Sequence, residues 1–167
     1  TGFDLHGKTA GIIGTGQIGR IFIDICKGFG MNVIAYDPYP NKNLDIEYVS
    51  LDELFEKSNI ISLHCPLTKD SYHIINADSI AKMKDNVFIV NTSRGALIDT
   101  VALINGLKSK KIGGAGLDVY EEENDVFFED KSNEIIDDGE LMQLLSFPNV
   151  VMSSHQGFFT REAMQQI

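Results

Sequence analysis

The apolar and polar positions of the chain follow two alternating patterns. Short runs of apolar and small residues recur at 9–13, 32–36, 59–63, 87–91, 113–119 and 149–153. Runs of this length bounded by turn residues read as strands buried on both faces. Between them the apolar positions take helical spacing. Ile18, Ile21, Phe22, Ile25 and Phe29 form the stripe of a first helix, with Cys26 on its core side and Gly28 or Gly30 as its end. Pro38-Tyr39-Pro40-Asn41 breaks the chain after the second strand. Ser50 through Glu53 is a capping box that opens a short helix reaching Lys57, and a further short helix from Asn76 carries Ile80 and Met83. A helix over 100–110 packs Val101, Leu103, Ile104 and Leu107, and its basic end suits the helix dipole. Residues 141–145 predict a short helix, and Thr160 caps a last one running to Ile167. The stretch 120–138 is long, acidic and aperiodic, the mark of a functional loop. Regular alternation of strand and helix, without internal repeat, predicts a doubly wound parallel sheet with helices on both faces.

The first strand runs into Gly14-Thr15-Gly16-Gln17-Ile18-Gly19, spaced G-x-G-x-x-G, and a helix follows at once. In a dinucleotide site, Gly14 allows the tight turn, Gly16 lets the backbone approach a pyrophosphate, and Gly19 lets the helix pack closely. The helix aims its first N–H groups at the phosphates. The second strand ends in Asp37, where an acid would grip the adenosine ribose. The competing reading is a glycine turn with a helix-capping aspartate. The combination of strand, glycines, helix and acid favours a Rossmann-type dinucleotide-binding domain.

Composition narrows the partners. A length of 167 residues suits one domain with a sizeable core. The net charge of -10 argues against nucleic acid or an anionic membrane, both of which attract basic patches. The expectation is of no signal peptide, and no apolar run in these residues is long enough to span a bilayer. Cys26 and Cys65 fit neither a disulfide framework nor a metal cluster, so no metal and a reduced, cytoplasmic setting are the expectations.

Ligands of such sheets bind outside the carboxyl ends of the strands. Arg94 follows the fourth predicted strand, Glu123 lies beyond the fifth and His155 follows the sixth. Arg94 offers a planar fork for a carboxylate, or else a structural ion pair. His155 can exchange a proton near neutral pH, as ketone reduction requires, although a single histidine is often structural. Glu123 is one acid among several, and its interest lies in pairing with His155, whose charged form it would favour. His64 and His73 read as structural, with a peripheral cofactor contact open to His64, and His6 as a surface residue.

Six stretches carry a family resemblance: the glycine motif, Tyr36-Asp37-Pro38, His64-Cys65-Pro66-Leu67-Thr68, Asn91-Thr92-Ser93-Arg94-Gly95-Ala96-Leu97-Ile98-Asp99, Leu117-Asp118-Val119-Tyr120-Glu121, and His155-Gln156-Gly157-Phe158. In this order they resemble the D-2-hydroxyacid dehydrogenases over nearly the whole chain. Phe127-Phe128-Glu129-Asp130-Lys131-Ser132-Asn133 is similar to the fermentative D-lactate dehydrogenase branch. The resemblance implies NAD as cofactor and a small 2-oxo acid, pyruvate above all, as substrate. It implies that Arg94 binds the acid, His155 protonates the ketone and Glu123 tunes His155. It also implies that Gln17 and Ile18 meet the pyrophosphate, that Cys65, Pro66, Thr92 and Ser93 line the cofactor path, and that Asp118 holds the nicotinamide amide. Ser71 falls where relatives often have asparagine near the cofactor, and Gly157 where alanine is common.

Family subunits carry a second domain that closes over the substrate and associate as homo-oligomers through the cofactor domain. On that reading residues 1–167 are the NAD-binding domain, and residues 160–167 begin the helix returning to the substrate domain. Two rival functions remain open from the residues: action on a bulkier 2-oxo acid, and a dinucleotide-sensing interaction protein of the same fold.

Overall fold

The computed structural model describes residues 2–121, 139–157 and 159–165. Among these residues seven strands form one sheet: β1 (Thr9–Ile13), β2 (Asn32–Tyr36), β3 (Glu47–Tyr48), β4 (Ile60–Leu63), β5 (Val87–Asn91), β6 (Ile112–Leu117) and β7 (Val150–Met152). Their order is β3-β2-β1-β4-β5-β6-β7, and each neighbouring pair is parallel. The direction of strand addition reverses between β1 and β4, which creates a crevice at the carboxyl ends. Among the described residues the α-helices are α1 (Gln17–Gly28), α2 (Leu51–Lys57), α3 (Ala77–Lys82), α4 (Thr100–Lys108), α5 (Gly139–Ser146) and α6 (Arg161–Met164). Among the described residues no helix is long and apolar enough to cross a membrane.

Packing divides the helices between the two faces, with α1 on one and α2, α3, α4 and α5 on the other. Two buried clusters match this division. Ala10, Ile12, Ile23, Cys26, Met31 and Ala35 form the smaller, α1-side core. The larger holds Leu54 and Phe55 of α2, Ile80 of α3, Leu103 and Leu107 of α4, and Leu141 and Leu144 of α5 against Ile61, Ile89 and Leu117 of the sheet. The helix starts follow local rules. The Ser50 hydroxyl accepts from the Glu53 amide, Asn76 and Ser79 form a reciprocal capping box, and Asp99 caps α4 through the Ala102 amide.

Three expectations from the sequence need correction. The apolar stripe of α1 faces outward: Ile18, Ile21, Ile25 and Phe29 are exposed by 70, 58, 49 and 57%. The inward line is Gly19, Ile23 and Cys26. Gly19 sets this rotation, because a Cβ there would stand 2.1 Å from the Gly14 carbonyl oxygen. Residues four and seven positions later must share its face. Val101 in α4 is likewise half exposed, while Ala102, Leu103, Ile104 and Leu107 are buried. Finally, β3 adds a strand to the six expected. It is two residues long, too short to show a period, and exists through its pairing with Ile34 and Ala35. The small residues of β6 do mark close packing. A Cβ on Gly114 would lie 2.6 Å from the Phe88 ring, and one on Gly106 would strike Ile112.

Candidate active site

The carboxyl ends of β2, β1, β4, β5, β6 and β7 stand side by side, and the residues singled out in the sequence follow them. Gly14 turns the chain out of β1 with φ 96°, a value suited to glycine. A Cβ on it would meet the His64 carbonyl at 2.6 Å and the Cys65 amide at 2.7 Å, so the loop lies directly on the end of β4. Gly16 has nothing within 4 Å of its Cβ position. It also caps α1 without any side-chain hydrogen bond. An open backbone surface at an uncapped helix start fits a pyrophosphate. Gln17 and Ile18 are exposed there.

Asp37 ties the loop down. Its Oδ2 accepts from the Thr15 amide at 2.8 Å and the Thr15 hydroxyl at 2.9 Å, and its Oδ1 accepts from the Tyr39 amide at 2.9 Å. Partial burial raises the carboxyl pKa, but these hydrogen bonds outweigh it and hold the value below the usual range. The Thr15 hydroxyl also meets the Tyr48 hydroxyl at 2.9 Å, so the short edge strand reaches into the site. Sequence reasoning missed Thr15 and Tyr48. Thr15 lies inside the glycine motif at a position the motif leaves free, and Tyr48 had no signal.

Burial pushes the Cys65 thiol up to about 11, helped by Asp37 and opposed by a backbone hydrogen bond, so it stays protonated at neutral pH. Pro66 is fixed by the buried Ser71, whose hydroxyl donates to the Pro66 carbonyl at 2.7 Å and accepts from the Thr68 amide at 2.8 Å. These bonds turn Ser71 into its own loop. His64 closes β4 with Nε2 2.9 Å from the Ser62 hydroxyl and its ring 4.9 Å from that of Phe22. Burial holds its pKa below the usual value.

Beyond β5, the buried Asn91 shapes the next turn. Its amide group donates to the Arg94 carbonyl at 2.9 Å, and its Oδ1 accepts from the Ser93 amide at 3.0 Å. The Asn91-x-x-Arg94 spacing was the available sign of this side-chain turn. Ser93 donates to the Leu63 carbonyl at 2.9 Å, which binds the ends of β4 and β5 together. Thr92 and Arg94 are exposed, and the Arg94 Nη1 donates to the Ser93 carbonyl at 2.7 Å.

Asp118, at the end of β6, organises the turn after β7. Its Oδ1 accepts from the Ser153 hydroxyl at 2.5 Å and the Gln156 amide at 3.0 Å, and its Oδ2 from the Gly157 amide at 3.2 Å. Its carbonyl accepts from the His155 amide at 2.7 Å. Burial raises the Asp118 pKa, but these donors and the nearby His155 bring it below the ordinary range. His155 has φ 52° and is held in that turn. The structure thus brings Arg94, Asp118 and His155 to three adjacent strand ends, continuous with the glycine loop. Glu123 lies outside the described residues.

A doubly wound sheet with an open glycine loop at its switch point defines a dinucleotide-binding domain. Residues 1–157 match the profile of the D-isomer-specific 2-hydroxyacid dehydrogenase NAD-binding domain. The chain belongs to that family, whose cofactor is NAD. It is 54% identical to the D-lactate dehydrogenase of Escherichia coli K12, covering 100% of this chain and 52% of that protein. It is also 54% identical to an aromatic 2-oxoacid reductase of Clostridium sporogenes, covering 99% and 51%. Among solved structures, the pyruvate reductase of Chlamydomonas reinhardtii superposes with a TM-score of 0.93 at 43% identity, over 99% of this chain and 52% of that one. The chain spans about half the length of the curated relatives it matches.

Proposed function

We propose that the protein containing this domain is an NAD-dependent D-2-hydroxyacid dehydrogenase that reduces pyruvate to D-lactate. The observation that carries the reading is the placement of Arg94, Asp118 and His155 at successive strand ends beside the glycine loop. Gly14, Gly16, Gln17, Ile18 and Gly19 would hold the pyrophosphate, and Asp37 the adenosine ribose. Cys65, Pro66, Thr92 and Ser93 would line the path to the nicotinamide, near Asp118. When bound, NADH supplies the hydride that reduces the ketone carbon. Arg94 grips the substrate carboxylate through its fork and so orients the ketone. His155 gives the ketone oxygen a proton and places positive charge beside the developing alkoxide. Glu123 would hold the His155 ring and favour its protonated form.

The identity to the aromatic 2-oxoacid reductase supports a second reading, in which the substrate carries a bulkier side chain. A substrate domain built from the rest of the polypeptide would supply most of the side-chain pocket. The helix capped by Thr160, whose hydroxyl accepts from the Ala163 amide at 3.2 Å, would begin the return to it. We expect the isolated 167-residue domain to bind cofactor and turn over substrate poorly, since closure excludes water and positions the substrate. Homo-oligomerisation through this domain and a cytoplasmic location complete the proposal, and Cys26 and Cys65 are both unpaired.

NADH oxidation by the full-length protein, with chiral analysis of the product, tests the reading. Pyruvate turnover to D-lactate is expected. Turnover of phenylpyruvate in preference to pyruvate selects the second reading, and no turnover of either leaves the dinucleotide-sensing interaction protein. Glu123→Gln should move the alkaline limb of the kcat/KM profile for pyruvate to lower pH. An unmoved limb removes Glu123 from its assigned role.

A further inference from the structure

Next to the row of strand ends, three segments meet in an arrangement that the proposed reaction does not use. His73, in the connection from β4 to α3, has φ 49°. Its amide donates to the Ala96 carbonyl at 2.9 Å, and the Ile75 amide to the Leu97 carbonyl at 3.1 Å. The Asp99 amide returns a bond to the Ile75 carbonyl at 2.9 Å. This rail therefore binds the turn that leaves Arg94 along its length.

The His73 ring stacks on Tyr72 with centroids 3.9 Å apart, and its Nε2 pairs with Oε1 of Glu121. The other carboxylate oxygen of Glu121 accepts from the Thr100 hydroxyl at 2.9 Å and the Thr100 amide at 3.3 Å, at the start of α4. The backbone of this acid lies hard against Gly95, the residue after Arg94. A Cβ on Gly95 would stand 2.0 Å from the Tyr120 carbonyl oxygen and 2.5 Å from the Glu121 amide nitrogen. The turn behind Arg94 is thus held between the rail on one side and the end of β6 on the other.

We propose that His73 and Glu121 are positioning residues for the substrate clamp, with the bridge from His73 through Glu121 to Thr100 pressing the Tyr120–Glu121 backbone against Gly95 and so fixing the turn from which Arg94 projects. The proposal rests on the reading of Arg94 as the carboxylate clamp. An apolar pair would hold such a seam without the desolvation cost of a partly buried acid and its partner. What the polar bridge adds is direction: each Glu121 oxygen is bound from a different segment. Small displacements of a substrate-orienting group are costly to catalysis, which makes direction valuable here.

The test uses the full-length protein, the single variants His73→Asn, Glu121→Ala, Glu121→Gln and Arg94→Lys, and the doubles that join His73→Asn or Glu121→Ala to Arg94→Lys. Asparagine tolerates the left-handed backbone but is too short to bridge to Glu121. For each, NADH Kd is measured by fluorescence titration and kcat and KM with pyruvate. His73→Asn and Glu121→Ala should lower kcat/KM about 10- to 100-fold, chiefly through KM, with NADH Kd held within about twofold. Glu121→Gln keeps hydrogen bonds to Thr100 and His73 and should recover most of the loss. Either lesion combined with Arg94→Lys should cost little more than Arg94→Lys alone. Normal KM in His73→Asn beside an impaired Arg94→Lys overturns the positioning role while leaving the clamp in place. A loss of NADH affinity in step with activity also overturns it, as the mark of general structural damage. Normal KM in Arg94→Lys instead removes the clamp reading, and the proposal with it. Should Glu121→Ala fail to fold, His73→Asn and Glu121→Gln decide the matter.

Discussion

The two halves of the strand-end row are built differently. Around β1, β2 and β4 backbone packs on backbone, with Gly14 on the end of β4 and Gly19 on the Gly14 carbonyl, and Asp37 adds side-chain ties to Thr15 and Tyr39. Around β5, β6 and β7 side chains tie the turns together, Asn91 the Arg94 turn and Asp118 the turn of His155, beside a close backbone approach at Gly95. The first half is closed at Gly14 and Gly19, where no added atom fits. The second leaves Arg94 exposed and is held by hydrogen bonds that can be removed singly. A surface proposed to hold a constant pyrophosphate gains from rigid backbone packing, whereas side-chain ties set the direction in which the groups proposed to meet substrate project. Substitutions in the first half should therefore act on cofactor affinity and folding, and those in the second on turnover.

The largest expected effect lies in the second half. His155→Gln in the full-length protein should lower kcat for pyruvate by about 10²- to 10⁴-fold and leave NADH binding intact. A parallel loss of NADH affinity, measured by fluorescence titration, would break the division between the halves.

Gly19→Ala tests the first half. The added Cβ, 2.1 Å from a backbone oxygen, must displace either α1 or the loop. A destabilisation of about 1–3 kcal/mol is expected in denaturant melts, together with weaker NADH binding. Unchanged stability and affinity would show that the loop gives way easily.

Asp37→Ala sharpens the contrast further. Asp37 would repel a 2′-phosphate, and Lys42 is the nearest base after it in the sequence. NADH should be preferred over NADPH, and the variant should narrow the gap by about tenfold, the scale of a hydrogen bond to a charged group. Titration of the isolated domain with both cofactors reads this directly. Equal affinities in the parent domain would remove Asp37 from the ribose.

The smallest effect concerns His64 at the border of the halves. Its folded pKa lies below the reference 6.5, so the unfolded chain binds more protons between the two values. Its contribution is present above about pH 6.5 and is lost as pH falls through the lower folded value. The melting temperature should thus fall as pH drops below about 6.5, and His64→Asn should flatten part of that slope. An identical slope in the variant would assign the effect to other groups.

Sequence alone determined the alternation of strands and helices, the order of the motifs, and the glycine loop with Asp37 at the next strand end. These are legible because period and glycine spacing are local consequences of backbone geometry. Only the tertiary structure decided which face of α1 turns inward. The richer apolar stripe lost to the line through Gly19, because close approach to the Gly14 carbonyl outranks hydrophobicity. The edge strand β3 and the link from Tyr48 to Thr15 were also tertiary, since two residues carry no period and their partners lie far along the chain. The same holds for the bonds from Asp118 to Ser153, Gln156 and Gly157, which join residues more than thirty positions apart. A motif can place a chemically capable residue at a strand end, but which side chains hold it there depends on segments that meet only when the sheet has formed.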